Sequence, residues 1–158
     1  MIESGLKSTI PAQAQRGHHH LSPSATSIFV VDDSPTIRKV IEIALSCEGY
    51  EVTTFHDGIE AIKWLVTPGV RPPDLMLVDI GLPKMDGYEL IRRIRAHPRF
   101  ANTRYMILSG DNEVVDKLKG GQTEAYAYII TKPFMIQDLL AAVRKCITGT
   151  SIYEQVDH

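Results

Sequence analysis

Residues 28–45 read IFVVDDSPTIRKVIEIAL, and the reading of this stretch decides the fold class. Its first four residues are continuously apolar, which is how a strand covered on both faces reads, rather than alternating. Two acidic residues, Asp32 and Asp33, follow at once. Ser34 then stands as a helix N-cap with Pro35 at the first helical position, where its missing N–H costs nothing. Ile37, Val40, Ile41, Ala44 and Leu45 form one apolar stripe, and Gly49 falls where the helix should stop. A buried strand running straight into an amphipathic helix is the opening half of a strand–helix–strand unit.

Working outward, the same alternation recurs. Strands are expected at Ile28–Asp32, Glu51–Phe55, Leu75–Asp79, Tyr105–Ser109 and Tyr126–Thr131, and two further continuous runs, LMLV and YMIL, repeat the buried signature. A second helix is expected from near Asp57, with Ile59, Ile62 and Leu65 on its apolar side, ending before Pro68-Gly69. A third starts at Asp86-Gly87, carries Leu90, Ile91 and Ile94, and ends by Pro98. A weaker fourth spans about Asn112 to Lys119, and a fifth runs from Ile136 to Ile147 with Leu139, Leu140 and Val143 inward. Five strands alternating with five helices imply right-handed crossovers and a doubly wound α/β parallel sheet.

The 158 residues suit one domain, and 44% hydrophobic with 23% charged residues is enough to bury an ordinary core. A net charge of −2 supplies no basic excess, so no nucleic acid is expected as a partner. No run approaches the roughly 20 apolar residues that span a bilayer, and the N-terminus lacks a secretory pattern. Residues 1–26, rich in Ser, Pro, Gln, Ala and Gly, are read as a disordered leader before a domain at 27–149 and a tail at 150–158. His18, His19 and His20 are read as a solvated tract rather than a metal site. Cys47 and Cys146, each in a predicted helix, are read as free thiols in a reducing cytoplasm.

In a doubly wound sheet, ligands sit outside the carboxyl ends of the strands. Those ends carry Asp32 and Asp33, Asp79, Ser109 and Lys132, while no Gly-rich loop follows the first strand. Each type has a task there. Clustered carboxylates repel, and a hard dication relieves them through oxygen ligands. A carboxylate can attack phosphorus to form an aspartyl phosphate. An ammonium and a hydroxyl, with a metal, neutralise the equatorial oxygens of a moving phosphoryl group. Singly, each of these residues would be a cap, a turn former or a solvated charge. Their joint placement on four strand ends points to phosphoryl transfer.

The segments VVDDSPTIRKVIE, DLMLVDIGLPKMDGYELIRRIR, ILSGD and ITKPF resemble the receiver domain of bacterial response regulators, over roughly Ile28 to Gly149. The resemblance implies a flavodoxin-like five-stranded parallel sheet in the order 2-1-3-4-5 with helices on both faces. It implies that Asp79 is the phosphorylated residue and that Asp32, Asp33, Asp79 and the Gly81 backbone carbonyl hold Mg²⁺ (or Mn²⁺). Ser109 and Lys132 match the hydroxyl and the lysine that meet the phosphoryl group, and Pro133 matches a proline after a cis bond. Pro83 and Gly87 match the turn after the acceptor and the start of the third helix.

Two departures stand out. Ile129 occupies the position, three before the lysine, that is typically aromatic in the family, with Tyr128 and Tyr126 just before it, and the Ser109-to-Lys132 interval is about one residue longer than is typical of the family. Neighbours on a strand face opposite sides, so either a bulge brings Tyr128 into the switch or the aromatic switch is altered. The switch is assigned here to Ser109 and Tyr128, against the plainer reading of both tyrosines as packing residues. In the family, side chains two places after the acceptor and two after the hydroxyl residue influence the hydrolytic water. Here these are Gly81 and Asp111, and a glycine with no side chain to hold that water suggests slow self-dephosphorylation.

The function expected is that of a stand-alone, cytoplasmic phosphoacceptor, not a turnover enzyme. Its expected partners are a histidine kinase or histidine phosphotransfer protein and a downstream target protein, with no membrane insertion and a monomeric or weakly dimeric state. The surface from Asp111 to Gly121 would report phosphorylation. Rival readings are a pseudo-receiver acting by binding alone, an aspartyl-phosphate phosphatase, which would want an acid where Gly81 stands, and a fragment of a longer regulator, against which Met1 and the polar ends speak.

Overall fold

The computed structural model describes residues 25–110 and 128–149. Five parallel strands form one sheet: β1 (Ser27–Val31), β2 (Glu51–Phe55), β3 (Leu75–Asp79), β4 (Arg104–Ser109) and β5 (Tyr128–Thr131), in the order β2-β1-β3-β4-β5. Four helices are described: α1 (Pro35–Cys47), α2 (Gly58–Leu65), α3 (Gly87–Arg95) and α4 (Ile136–Thr148). The expected leader up to Ser24, His18–His20, the helix at Asn112–Lys119, Asp111, Tyr126 and the tail at 150–158 lie outside the described residues.

Strand alternation sorts the core into two layers. Ile28 and Val30 of β1, Leu75 and Leu77 of β3, and Met106 and Leu108 of β4 pack against Ile41 and Leu45 of α1 and Leu139 and Val143 of α4. Their neighbours Phe29, Val31, Met76, Val78 and Ile107 pack on the other face against Ala61 and Leu65 of α2 and Leu90, Ile91 and Ile94 of α3. Strands covered on both faces explain the unbroken apolar runs; burying a side chain such as Leu77 stabilises by about 1.5–3 kcal/mol.

The helix starts are set locally. Ser34 Oγ accepts from the Ile37 N–H, Asp57 Oδ1 from Glu60 and Asp86 Oδ1 from Glu89. Ser34→Ala is expected to lower stability by about 1 kcal/mol, read as a shifted urea midpoint at unchanged slope. Gly49 ends α1 at φ +92°, a left-handed conformation that a side chain resists. Two apolar expectations correct themselves here. Val40 is 40% exposed and Ile59 38% exposed, because Ile37, Ile41 and Leu45, and Ala61 and Leu65, already fill the inward arcs of α1 and α2. Cys47 is exposed at the end of α1 and Cys146 is buried in α4, and both are free.

Candidate functional site

The carboxyl ends of β1, β3, β4 and β5 bring Asp32, Asp33, Asp79, Ser109 and Lys132 to one edge of the sheet. Asp32 is fully buried. Its N–H donates to the Phe55 carbonyl of β2, so β1–β2 pairing continues one residue past the strand. Its Oδ1 accepts from the Ser34 N–H at 2.9 Å and its Oδ2 from Lys132 Nζ at 2.6 Å. Asp79 is buried at the end of β3, with Oδ1 accepting from the Gly81 N–H at 2.9 Å and Oδ2 from the same Lys132 Nζ at 3.1 Å. Asp33 turns outward and is exposed.

One ammonium therefore ties together two carboxylates from strands that neighbour each other in the sheet. Burial raises the Asp32 carboxyl above its ordinary range, and the bonds from Lys132 and Ser34 only partly pull it back. Burial pushes the Lys132 ammonium down, but its hydrogen bonds and charge pairing with Asp32 and Asp79 outweigh that, and the net direction is up.

Asp32, Asp33 and Asp79 each offer a carboxylate oxygen within 4.8 Å of the others. Three carboxylates and one ammonium carry a formal charge of −2, the complement of one dication. The donors are all oxygen, which suits Mg²⁺ or Mn²⁺ and gives no soft ligand for Zn²⁺. The residues present fit a hard dication, provided it shares Asp32 and Asp79 with Lys132.

Comparison with known proteins places this edge in context. The family model for the response regulator receiver domain matches residues 28–144. The chain belongs to the receiver domain family. It is 33% identical over 153 residues to the transcriptional regulatory protein TrcR of Mycobacterium tuberculosis, covering 94% of this chain and 57% of TrcR. It is 34% identical over 117 residues to the protein PilG of Pseudomonas aeruginosa, covering 74% of this chain and 84% of PilG. Among solved structures, the chemotaxis response regulator CheY4 of Vibrio cholerae superposes with a TM-score of 0.68 at 27% identity, over 78% of this chain and 99% of that one. The chain spans about half the length of several regulators that it matches, 49% in the case of RpaA of Synechocystis.

Within this receiver the β4–β5 register settles the place of the two switch candidates. Met106 pairs with Tyr128, Ile107 with Ile129, Leu108 with Ile130 and Ser109 with Thr131, with no bulge. Tyr128 packs on the layer of α1 and α4, and Ile129 on the layer of α2 and α3. Alternation puts Ser109 with Tyr105 and Ile107, on the face of Ile129. The assignment of Tyr128 to the switch is corrected accordingly: an unbulged strand cannot turn it to the Ser109 side, and an aliphatic residue stands there. The Lys132–Pro133 bond is cis. Ser109 is fully buried, and its carbonyl accepts from the Lys132 N–H at 2.7 Å.

Two further residues shape the edge. Arg38, one turn into α1, donates from Nη1 to the Asp32 carbonyl at 2.6 Å. The reading of α1 as a plain amphipathic helix overlooked it; an arginine one turn past an acidic pair and its cap is the available signal. Gly87, expected as the start of the third helix, lies where a Cβ would come within 2.6 Å of the Asp79 carbonyl oxygen.

Proposed function

We propose that Asp79 accepts a phosphoryl group from a phosphohistidine of a histidine kinase or histidine phosphotransfer protein. The observation that carries this is the single Lys132 ammonium shared by Asp32 and Asp79, at 2.6 and 3.1 Å. An Asp79 carboxylate oxygen attacks phosphorus, the N–P bond breaks, and the electron pair leaves with the histidine nitrogen, giving a mixed carboxylic–phosphoric anhydride. Lys132 neutralises charge on the moving group and Ser109 offers it a hydroxyl. Asp32, Asp33, Asp79 and the Gly81 carbonyl would hold Mg²⁺ or Mn²⁺, which supplies further charge neutralisation at the phosphoryl oxygens.

The phosphorylated state then acts through protein binding, by shifting the population of a surface near Ser109 rather than by a new fold. The receiver works in the cytoplasm as a phosphoacceptor, not as a turnover enzyme. Family membership supports this placement, and among the described residues no helix is long and apolar enough to cross a membrane.

Intact mass after incubation with Mg²⁺ and a small acyl phosphate tests the proposal. One phosphoryl adduct is expected, lost with a chelator and lost in Asp79→Asn. A wild-type chain unmodified by both the acyl phosphate and a phosphorylated histidine-kinase domain would sink it.

A further inference from the structure

We infer that Arg38 is a positioning residue for the metal-binding carboxylates, acting through the peptide that joins Asp32 to Asp33. Asp32 is held at every polar group: N–H to Phe55, Oδ1 from Ser34, Oδ2 from Lys132 and carbonyl from Arg38. Asp79 has both oxygens held, by Gly81 and Lys132. The Asp33 carboxylate, third of the cluster, has no hydrogen-bond or ion-pair partner among the described residues. Its aim therefore depends on the backbone that carries it. That backbone begins with the Asp32–Asp33 peptide plane, and a peptide plane is rigid, so fixing its oxygen fixes the direction in which Asp33 leaves.

Arg38 does that fixing from a firm base. Its N–H closes the first turn of α1 on the Ser34 carbonyl at 3.0 Å, and its half-buried guanidinium reaches back to the Asp32 oxygen. A charge-assisted donor bonds more strongly than a neutral one. The sign of the effect separates this role from simple electrostatics. A guanidinium beside a dication site repels the dication, so loss of the charge alone tightens binding. Only loss of orientation weakens it.

The inference rests on the edge being a divalent-cation site, and its test does not require phosphoryl transfer. Mg²⁺ affinity of the full chain is measured by calorimetry for wild type, Arg38→Met and Arg38→Lys, with Lys39→Met as a charge control. Lys39 lies next to Arg38 but points to solvent and pairs with Glu42 at 3.6 Å. Arg38→Met is expected to bind Mg²⁺ about tenfold more weakly, the usual scale for removing a partner that orients a metal ligand. Arg38→Lys, which keeps a charged donor, is expected to recover most of the loss, and Lys39→Met to match wild type. In metal-free protein the Asp33 amide resonance is expected to move in Arg38→Met and not in Lys39→Met. Unchanged or tighter binding by Arg38→Met, or a still Asp33 amide, overturns the positioning role alone. A wild type that binds no Mg²⁺ overturns the cation site and this inference with it.

Discussion

Lys132→Met slows phosphorylation of Asp79 by about 10²–10³-fold while Mg²⁺ binding becomes tighter; that opposed pair is the expected result. The kinetic loss follows from removing one preorganised donor aimed at developing charge. The gain in metal affinity follows because Lys132 Nζ holds Oδ2 of both Asp32 and Asp79, two of the three carboxylates that would hold a dication. In metal-free protein the same change leaves two buried carboxylates without their cation. Removing one partner of such a pair destabilises by about 3 kcal/mol, and addition of Mg²⁺ is expected to restore part of it by mass action. The Asp32 carboxyl, already raised by burial, loses the bond and charge that pull it down and rises further. The sign of the pH dependence is then set: the folded variant binds a proton that the unfolded chain has lost, so stability falls as pH rises from the ordinary carboxylate pKa towards the raised one. Rates with a small acyl phosphate, Mg²⁺ titrations and denaturant midpoints across acidic pH check these statements. Weaker Mg²⁺ binding in the variant would show that Lys132 supports the metal site rather than competing for it.

Gly87→Ala is expected to damage stability and phosphorylation together. A Cβ at residue 87 would stand 2.6 Å from the Asp79 oxygen, 2.7 Å from Ile80 Cα and 3.0 Å from the Asp79 carbonyl carbon. All three are backbone atoms of the acceptor and its neighbour, so no rotamer change relieves the clash. The start of α3, held by the Gly87 N–H on the Ile80 carbonyl at 3.2 Å, must part from the end of β3 or drag Asp79 with it. Overpacking of this kind costs about 1–3 kcal/mol. A Gly87→Ala protein as stable and as readily phosphorylated as the wild type would show that the α3 start yields freely and does not hold the acceptor.

Much of this molecule is legible in its chain because the relevant signals are short-ranged. A continuous apolar run marks a strand covered on both faces, and Ser34, Asp57 and Asp86 announce helix starts through bonds to an N–H three residues on. Asp32, Asp33, Asp79, Ser109 and Lys132 were readable as one edge because parallel strands all deliver their carboxyl ends to the same side. Val40 and Ile59 were misread because apolar spacing marks a stripe without telling its centre from its margin.

What the amino-acid order by itself determined is thus the alternation of strands and helices, the caps, and the set of chemical groups at the sheet edge. Tertiary structure alone decided which groups touch. Lys132 reaches Asp32 across 100 residues of chain, a contact that no local pattern encodes. Tyr128 and Ile129 necessarily face opposite sides, but only the pairing of Ser109 with Thr131 says which of them shares the Ser109 face. The closeness of Gly87 to Asp79, and of Arg38 to the Asp32 carbonyl, comes from how α3 and α1 seat on the sheet. The physical reason is one of range: backbone conformation answers to neighbours a few residues away, whereas register and helix seating are set by burial of both sheet faces at once.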